Sequence, residues 1–282
     1  MKHLVWLFAL LSYSTLWSQD ISGIWQGKLT QEPGGCFPEY YIELQIKKSN
    51  RDIEGVSYDY YDTSRFVKLN FTGTIEAFGL VLARHFVSRN AQVSKARIEL
   101  VEHLWQRISF DGKEHAHAFT GGGSEKRRAV VELSANGTLT VWAGIKGLLL
   151  AKTTDSGFVG YPKDEYTTLP ETTDRILSTE CEAEWEYSRH EVNFEALFQH
   201  VRATLLRTFA GHKSLSVQHT LYAMGEQVLQ TTEQVKEISF IMPNKHHIPF
   251  NLTPFGQENT NEIFVATDAP YGYITGTVVR EA

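Results

Sequence analysis

Residues 193–232 read "NFEALFQHVRATLLRTFAGHKSLSVQHTLYAMGEQVLQTT", two helical stretches, 193–212 and 214–232, parted by a single lysine. Strand-like runs lie on both sides of the pair. "TLTVWAGIKGLLLAKT" (138–153) and "ILSTECEAEWEYSRHEV" (176–192) precede it, and "VKEISFIMP" (235–243), "EIFVATD" (262–268) and "YGYITGTVVR" (271–280) follow it. The order strand, strand, helix, helix, strand, strand predicts an α+β domain whose antiparallel sheet carries both helices on one face.

Upstream, "IEAFGLVLARHFVSRN" (75–90) sets Ile75, Phe78, Leu82 and Phe86 at helical spacing, and Asn90 marks the stop. The strand-like runs at 93–110 and 113–134 come next. Before residue 75 the texture is different. Short alternating runs, "GIWQGKLT", "YYIELQIKK", "DIEGVSYDYY" and "RFVKLNFTGT", are separated by Gly, Pro, Asn and Ser, which predicts a small antiparallel meander over residues 19–74. Its Trp and Tyr suit half-buried strands without any ligand. The expected organisation is a leader-like segment at 1–18, the meander at 19–74, a partial domain at 75–137 and the strand–helix–helix–strand domain at 138–282.

The leader-like segment, "MKHLVWLFALLSYSTLWS", couples a charged start at Lys2 to the apolar run 4–11, the pattern of an export signal. The run is far shorter than the roughly 20 residues a membrane-crossing helix needs, so no membrane span is expected. Across 282 residues, 42% are hydrophobic and the formal net charge is −6, which suits a packed core and argues against a nucleic-acid partner. Short basic clusters such as "EKRR" (125–128) read as solvated hairpin ends. Cys36 and Cys181 are too few for a disulfide framework or a four-cysteine zinc site, and both read as ordinary thiols.

Other motifs are weak. His115 and His117 in "HAH" share one face of a strand without a third ligand, so no metal is expected there. "GGGSEK" (121–126) lacks phosphate-loop spacing and reads as a hairpin turn. A nucleophile elbow, a paired-cysteine redox motif and a cofactor fingerprint are all missing.

The stretch "DEYTTLPETTDRILST" (164–179) is too polar for a core strand, holds Pro170, and carries the single arginine Arg175. Taken with "IEAFGLVLARHFVSRN", "ARIELVEHLWQRI", "KEHAHAF", "LLAKTTDSGFVGYPKDEYTTLPETTDRILST", "SVQHTLY", "MPNKHH" and "DAPYGYITGTV", in that order, it makes residues 75–282 resemble the urate oxidase (uricase) family of the tunnelling fold. The resemblance implies a homotetramer with sites at subunit interfaces. It also implies oxidation of urate by dioxygen to 5-hydroxyisourate and hydrogen peroxide without metal or organic cofactor.

The resemblance implies a role for each matched residue. Phe158 stacks on the purine. Arg175 pairs with its acceptors through the guanidinium fork, and the Gln218 amide meets another edge. The Val217 backbone N–H bonds a ring atom. Asn244 holds dioxygen or water over the ring, and His246 joins the proton relay. The family's lysine and Thr-Asp motif, which complete that relay, have no counterpart before residue 75: "YDTSRF" offers Asp62 and Thr63 in reversed order, and Lys28 and Lys47 match nothing. A gene fusion or a misjoined gene accounts for the exchange, and low turnover is expected. The alternative functions are an exported purine-binding module without chemistry and a scaffold that keeps only the assembly. The leader-like start points to export and the urate oxidase-like region to cytoplasm or peroxisome.

Overall fold

The computed structural model describes residues 3–12, 23–31, 39–49, 52–62, 65–267, 269 and 271–281, and side-chain surroundings from residue 73 on, those of 103–106, 122, 268 and 270 apart. Cys36 and Thr63 lie outside the described residues. The chain falls into two compact units, Met1–Lys146 with Glu186–Phe198 and Gly147–Trp185 with Gln199–Ala282.

In the first unit, β1 (His3–Ser12), β2 (Gly23–Gln31), β3 (Glu39–Ser49), β4 (Asp52–Asp62) and β5 (Arg65–Thr72) lead to α1 (Ile75–Arg89). Two long strands follow, β6 (Val93–Phe110) and β7 (Lys113–Ser134), then β8 (Leu139–Lys152), which enters the second unit at Gly147. The strand order is β8-β7-β6-β1-β2-β3-β4-β5. β2 to β5 pair consecutively and antiparallel, the meander that period-two patterning predicts. The apolar run 4–11 forms β1, which lies parallel to β6 in the register Leu4↔Lys95 to Ser12↔His103.

Helix α1 forms where its sequence signals place it. Thr74 Oγ1 accepts the Ala77 N–H at 3.4 Å, and the Asn90 side-chain amide donates to the Phe86 carbonyl at 3.1 Å. Ile75, Phe78, Leu82 and Phe86 are all buried. Gly79 is where the helix meets the sheet, since a Cβ there would stand 2.8 Å from Val131 Cγ2.

Two expectations are corrected here. "GGGSEK" is not a hairpin turn: β7 runs unbroken through it, paired to β6 on both sides of a register shift, and the reversal comes at Asp111 and Gly112, both with positive φ. "EKRR" is not a solvated end. Arg127 is 5% exposed; its Nε and Nη2 donate to the fully buried Glu76 at 2.9–3.2 Å, and its Nη1 donates to Glu195. The guanidinium lies 4.1 Å from the centre of the Phe198 ring. Burial opposes its charge, but Glu76, Glu102 and Glu195 outweigh that and hold its proton more tightly than usual. The partners come from α1 and from residue 195, so nothing local in "EKRR" announces them.

The second unit begins with residues 147–152 of β8 and contains most of β9 (Leu177–Tyr187), the rest of α2 (Phe194–Gly211), α3 (Val217–Thr231), β10 (Val235–Lys245) and β13 (Gly272–Val279). A small ladder, β11 (His247–Pro249) with β12 (Phe264–Ala266), stands beside them in sequence. The strand order is β13-β10-β9-β8, with β10 and β13 antiparallel. Val217, Leu221, Met224 and Val228 form the buried stripe of α3. At Gly225 the helix touches the sheet so closely that a Cβ would fall 2.5 Å from Val278 Cγ2, and the Leu221 side chain lies against Gly276. On β10 the buried row is Ile238, Phe240, Met242 and then Asn244, an amide ending a row of apolar side chains.

Candidate active site

All six matched residues fall in the second unit. The loop between β8 and β9 leaves and returns side by side. Phe158 N–H donates to the Thr172 carbonyl at 2.7 Å and Thr172 N–H returns the bond at 3.1 Å, while Arg175 N–H donates to the Ser156 carbonyl at 2.6 Å. Asp174 ties the two limbs together, taking the Thr154 hydroxyl at 2.9 Å. Gly157 is needed at this crossing, because a Cβ would press to 3.1 Å and 3.2 Å on the carbonyl oxygens of Thr172 and Thr173.

This folding-back sets Arg175 beside Phe158, with the guanidinium carbon 5.5 Å from the ring centre. Tyr161 stacks on the Phe158 ring at 4.6 Å and 18°. Arg175 Nε is buried and has no hydrogen-bond partner among the described residues. Burial lowers the guanidinium's affinity for its proton, and no carboxylate among the described residues offsets the loss. A half-buried guanidinium with no carboxylate paired to it among the described residues favours an anionic ligand.

The same loop leans on the start of α3. Ser156 bridges Ser214, and Gly157 N–H donates to the Ser214 carbonyl at 2.8 Å. Ser214 Oγ in turn takes the Thr220 hydroxyl at 2.7 Å. Three residues past Ser214, Val217 opens the helix, its N–H without an acceptor among the described residues, and Gln218 beside it is exposed. Helix starts attract negative charge, so the Val217 N–H and Arg175 favour the same kind of ligand.

Asn244 is 7% exposed at the end of β10, opposite Gly272 of β13. His246 lies just beyond, half-buried, its carbonyl accepting the Thr267 N–H at 3.1 Å. Phe158 and Arg175 are thus brought together and tied to the segment before Val217. No hydrogen bond, ion pair or ring contact among the described residues joins Asn244 or His246 to them. Sequence reasoning missed Tyr161 and Asp174; the short spacing of Tyr161 from Phe158 was the one available signal. The described residues hold no group of three or more His, Cys, Asp or Glu placed for a metal. None of their helices is long and apolar enough to cross a membrane.

An α+β protein that carries, within one unit, an aromatic ring with an arginine beside it and a helix N-terminus has chemistry that suits a flat anion. The uricase family model matches residues 8–132 and 141–275, and this chain belongs to the uricase family. The uricase of Arthrobacter globiformis is 46% identical over 208 residues, covering 74% of this chain and 67% of the relative. The uricase of Arabidopsis thaliana is 36% identical over 265 residues, covering 87% and 83%. The crystal structure of the Arthrobacter globiformis uricase superposes with a TM-score of 0.70 at 34% identity, covering 94% of this chain and 96% of that one.

Proposed function

We propose that this chain binds urate and oxidises it with dioxygen, consuming water, to 5-hydroxyisourate and hydrogen peroxide, with no metal or organic cofactor. The observation that carries the reading is the buried, unpartnered Nε of Arg175 beside the Phe158 ring. Phe158 stacks on the purine, Arg175 and Gln218 hold its polar edges, and the Val217 N–H bonds a ring atom. Asn244 ends an otherwise apolar row with a buried amide, which suits a place for dioxygen or water over the ring. His246 passes protons. Removing the Arg175 fork leaves substrate acceptors unpaired and costs about 1 to 3 kcal/mol, roughly five- to 150-fold in Kd. Calorimetry of urate on wild type and Arg175→Ala decides it, and equal affinity refutes the assignment.

Turnover is proposed to be slow: the family model matches from residue 8 onward, into the stretch that the sequence reading set apart, but no lysine and Thr-Asp motif able to complete the family's relay is legible in the sequence before residue 75. A general base supplies roughly 10²- to 10⁴-fold, so activity is expected at least about 10²-fold below an intact enzyme. Loss of urate absorbance with peroxide release is compared with a version whose residues 1–74 come from an intact urate oxidase. Full activity in the chain as it stands removes the impairment; binding without any turnover in either version makes this a purine-binding module instead. A homotetramer is the proposed assembly, supported by β13 at the end of its strand order with Tyr273 and Val279 exposed. A monomer in sedimentation would count against it.

A further inference from the structure

We propose that Tyr161 is a positioning residue for the substrate: its ring backs the Phe158 ring and holds it in the plane on which the purine stacks. This rests on reading Phe158 as the stacking partner of urate. The backbone of Phe158 is fixed by the bonds exchanged with Thr172, but its ring still turns about two side-chain torsions, the second of them broad. Tyr161 lies against that ring, parallel to within 18° and 4.6 Å from centre to centre. A ring has two faces, so a stacking ligand has only the one that Tyr161 leaves.

Gly160 makes the contact possible. Its φ of 70° turns the chain back, and residue 161 lays its ring on residue 158. The tyrosine is braced in turn from the returning limb of the loop. Its hydroxyl donates to the Leu169 carbonyl. Lys163 Nζ stands 5.4 Å from the centre of its ring and pairs with Glu171 at 3.0 Å, and Glu171 Oε1 accepts the Gly160 N–H at 3.0 Å. Lys163 and Glu171 are both exposed, and an exposed pair is worth little on its own. The stacked rings carry the effect, and the limb that returns to Arg175 aims them.

With Tyr161 in place the Phe158 ring is held ready for the ligand. Without it only a fraction of molecules present the plane, and the apparent affinity falls by that fraction. The loss passes through Phe158, so it must vanish once that ring is gone.

The test is urate affinity by calorimetry for wild type, Tyr161→Phe, Tyr161→Leu, Phe158→Leu and the variant that combines the last two. Tyr161→Leu is expected to bind about three- to tenfold more weakly, the worth of a stacked aromatic pair. Tyr161→Phe keeps the ring and should stay within about twofold of wild type, since only one exposed hydrogen bond is lost. The combined variant should bind like Phe158→Leu alone. An equal loss from Tyr161→Leu with and without the Phe158 ring overturns the proposal, as does Tyr161→Leu binding like wild type or Tyr161→Phe binding as weakly as Tyr161→Leu. A second measurement needs no ligand: the fluorine spectrum of the protein carrying 4-fluorophenylalanine at position 158. The stack sets that ring in the shielding zone of Tyr161, so a line that moves downfield in Tyr161→Leu upholds the brace and an unmoved line overturns it. If wild type takes no urate, the substrate reading fails by itself, and the fluorine line alone decides whether Tyr161 holds Phe158.

Discussion

Replacing Arg127 with methionine keeps the length of the side chain and removes its charge from the most buried ionic cluster described in the protein. Glu76, with none of its surface exposed, loses three N–H contacts of 2.9 to 3.2 Å, and Glu102, 3% exposed, loses the cation acting on it. Glu195 is 40% exposed at its side chain and turns to water at little cost. Breaking a buried pair from one side costs about 3 to 5 kcal/mol, because an uncompensated charge stays inside. A domain's whole stability is about 5 to 15 kcal/mol, so the variant should lose roughly a third to a half of it. At 2 to 4 °C per kcal/mol for a unit of this size, the melting temperature should fall by roughly 10 °C. Urea unfolding followed by circular dichroism measures the loss, and Arg127→Met combined with Glu76→Gln should recover about 2 kcal/mol, because the neutral amide costs less to bury. A single variant within 1 kcal/mol of wild type would refute the view that this cluster holds α1 to β7.

Gly225→Ala should destabilise by about 1 to 2 kcal/mol despite the better helix propensity of alanine, since its Cβ must displace Val278 from 2.5 Å; thermal melting reads the sign, and a stabilised variant contradicts the close approach. Cys181 is fully buried, and burial with Glu182 nearby pushes its thiol up to about 12, so iodoacetamide at pH 8 should leave it unmodified in the native protein and label it after denaturation, as mass spectrometry would report.

Much of the fold was legible because its signals are local. Thr74, Asn90 and the 75-78-82-86 spacing define α1 without any knowledge of the rest of the chain, and the alternating runs of 19–74 define four strands. What was not legible depends on partners distant in sequence. Three glycines at 121–123 look like a turn until β6 is seen to pair on both sides of them, and Arg127 looks solvated until Glu76, 51 residues away, is placed against it. Leu4 to Leu11 fit an export signal by composition, and the same apolar run serves as β1, because apolarity alone carries no preference between the two. For the site, Arg175 and Phe158 came from ordered motifs. The bridge that unites them depends on backbone geometry that residue types do not encode.

The loop that carries Arg175 is fastened at its roots, by the exchanged bonds of Phe158 with Thr172 and the Arg175 bond to Ser156, while its tip, with Tyr166 80% exposed, hangs in solvent. Fastening the roots separates the tip's freedom to vary from the guanidinium's placement. Evolution can lengthen, shorten or recharge residues 164–168 without moving the Arg175–Phe158 pair, and an engineer can graft an epitope or a fluorophore there as a handle.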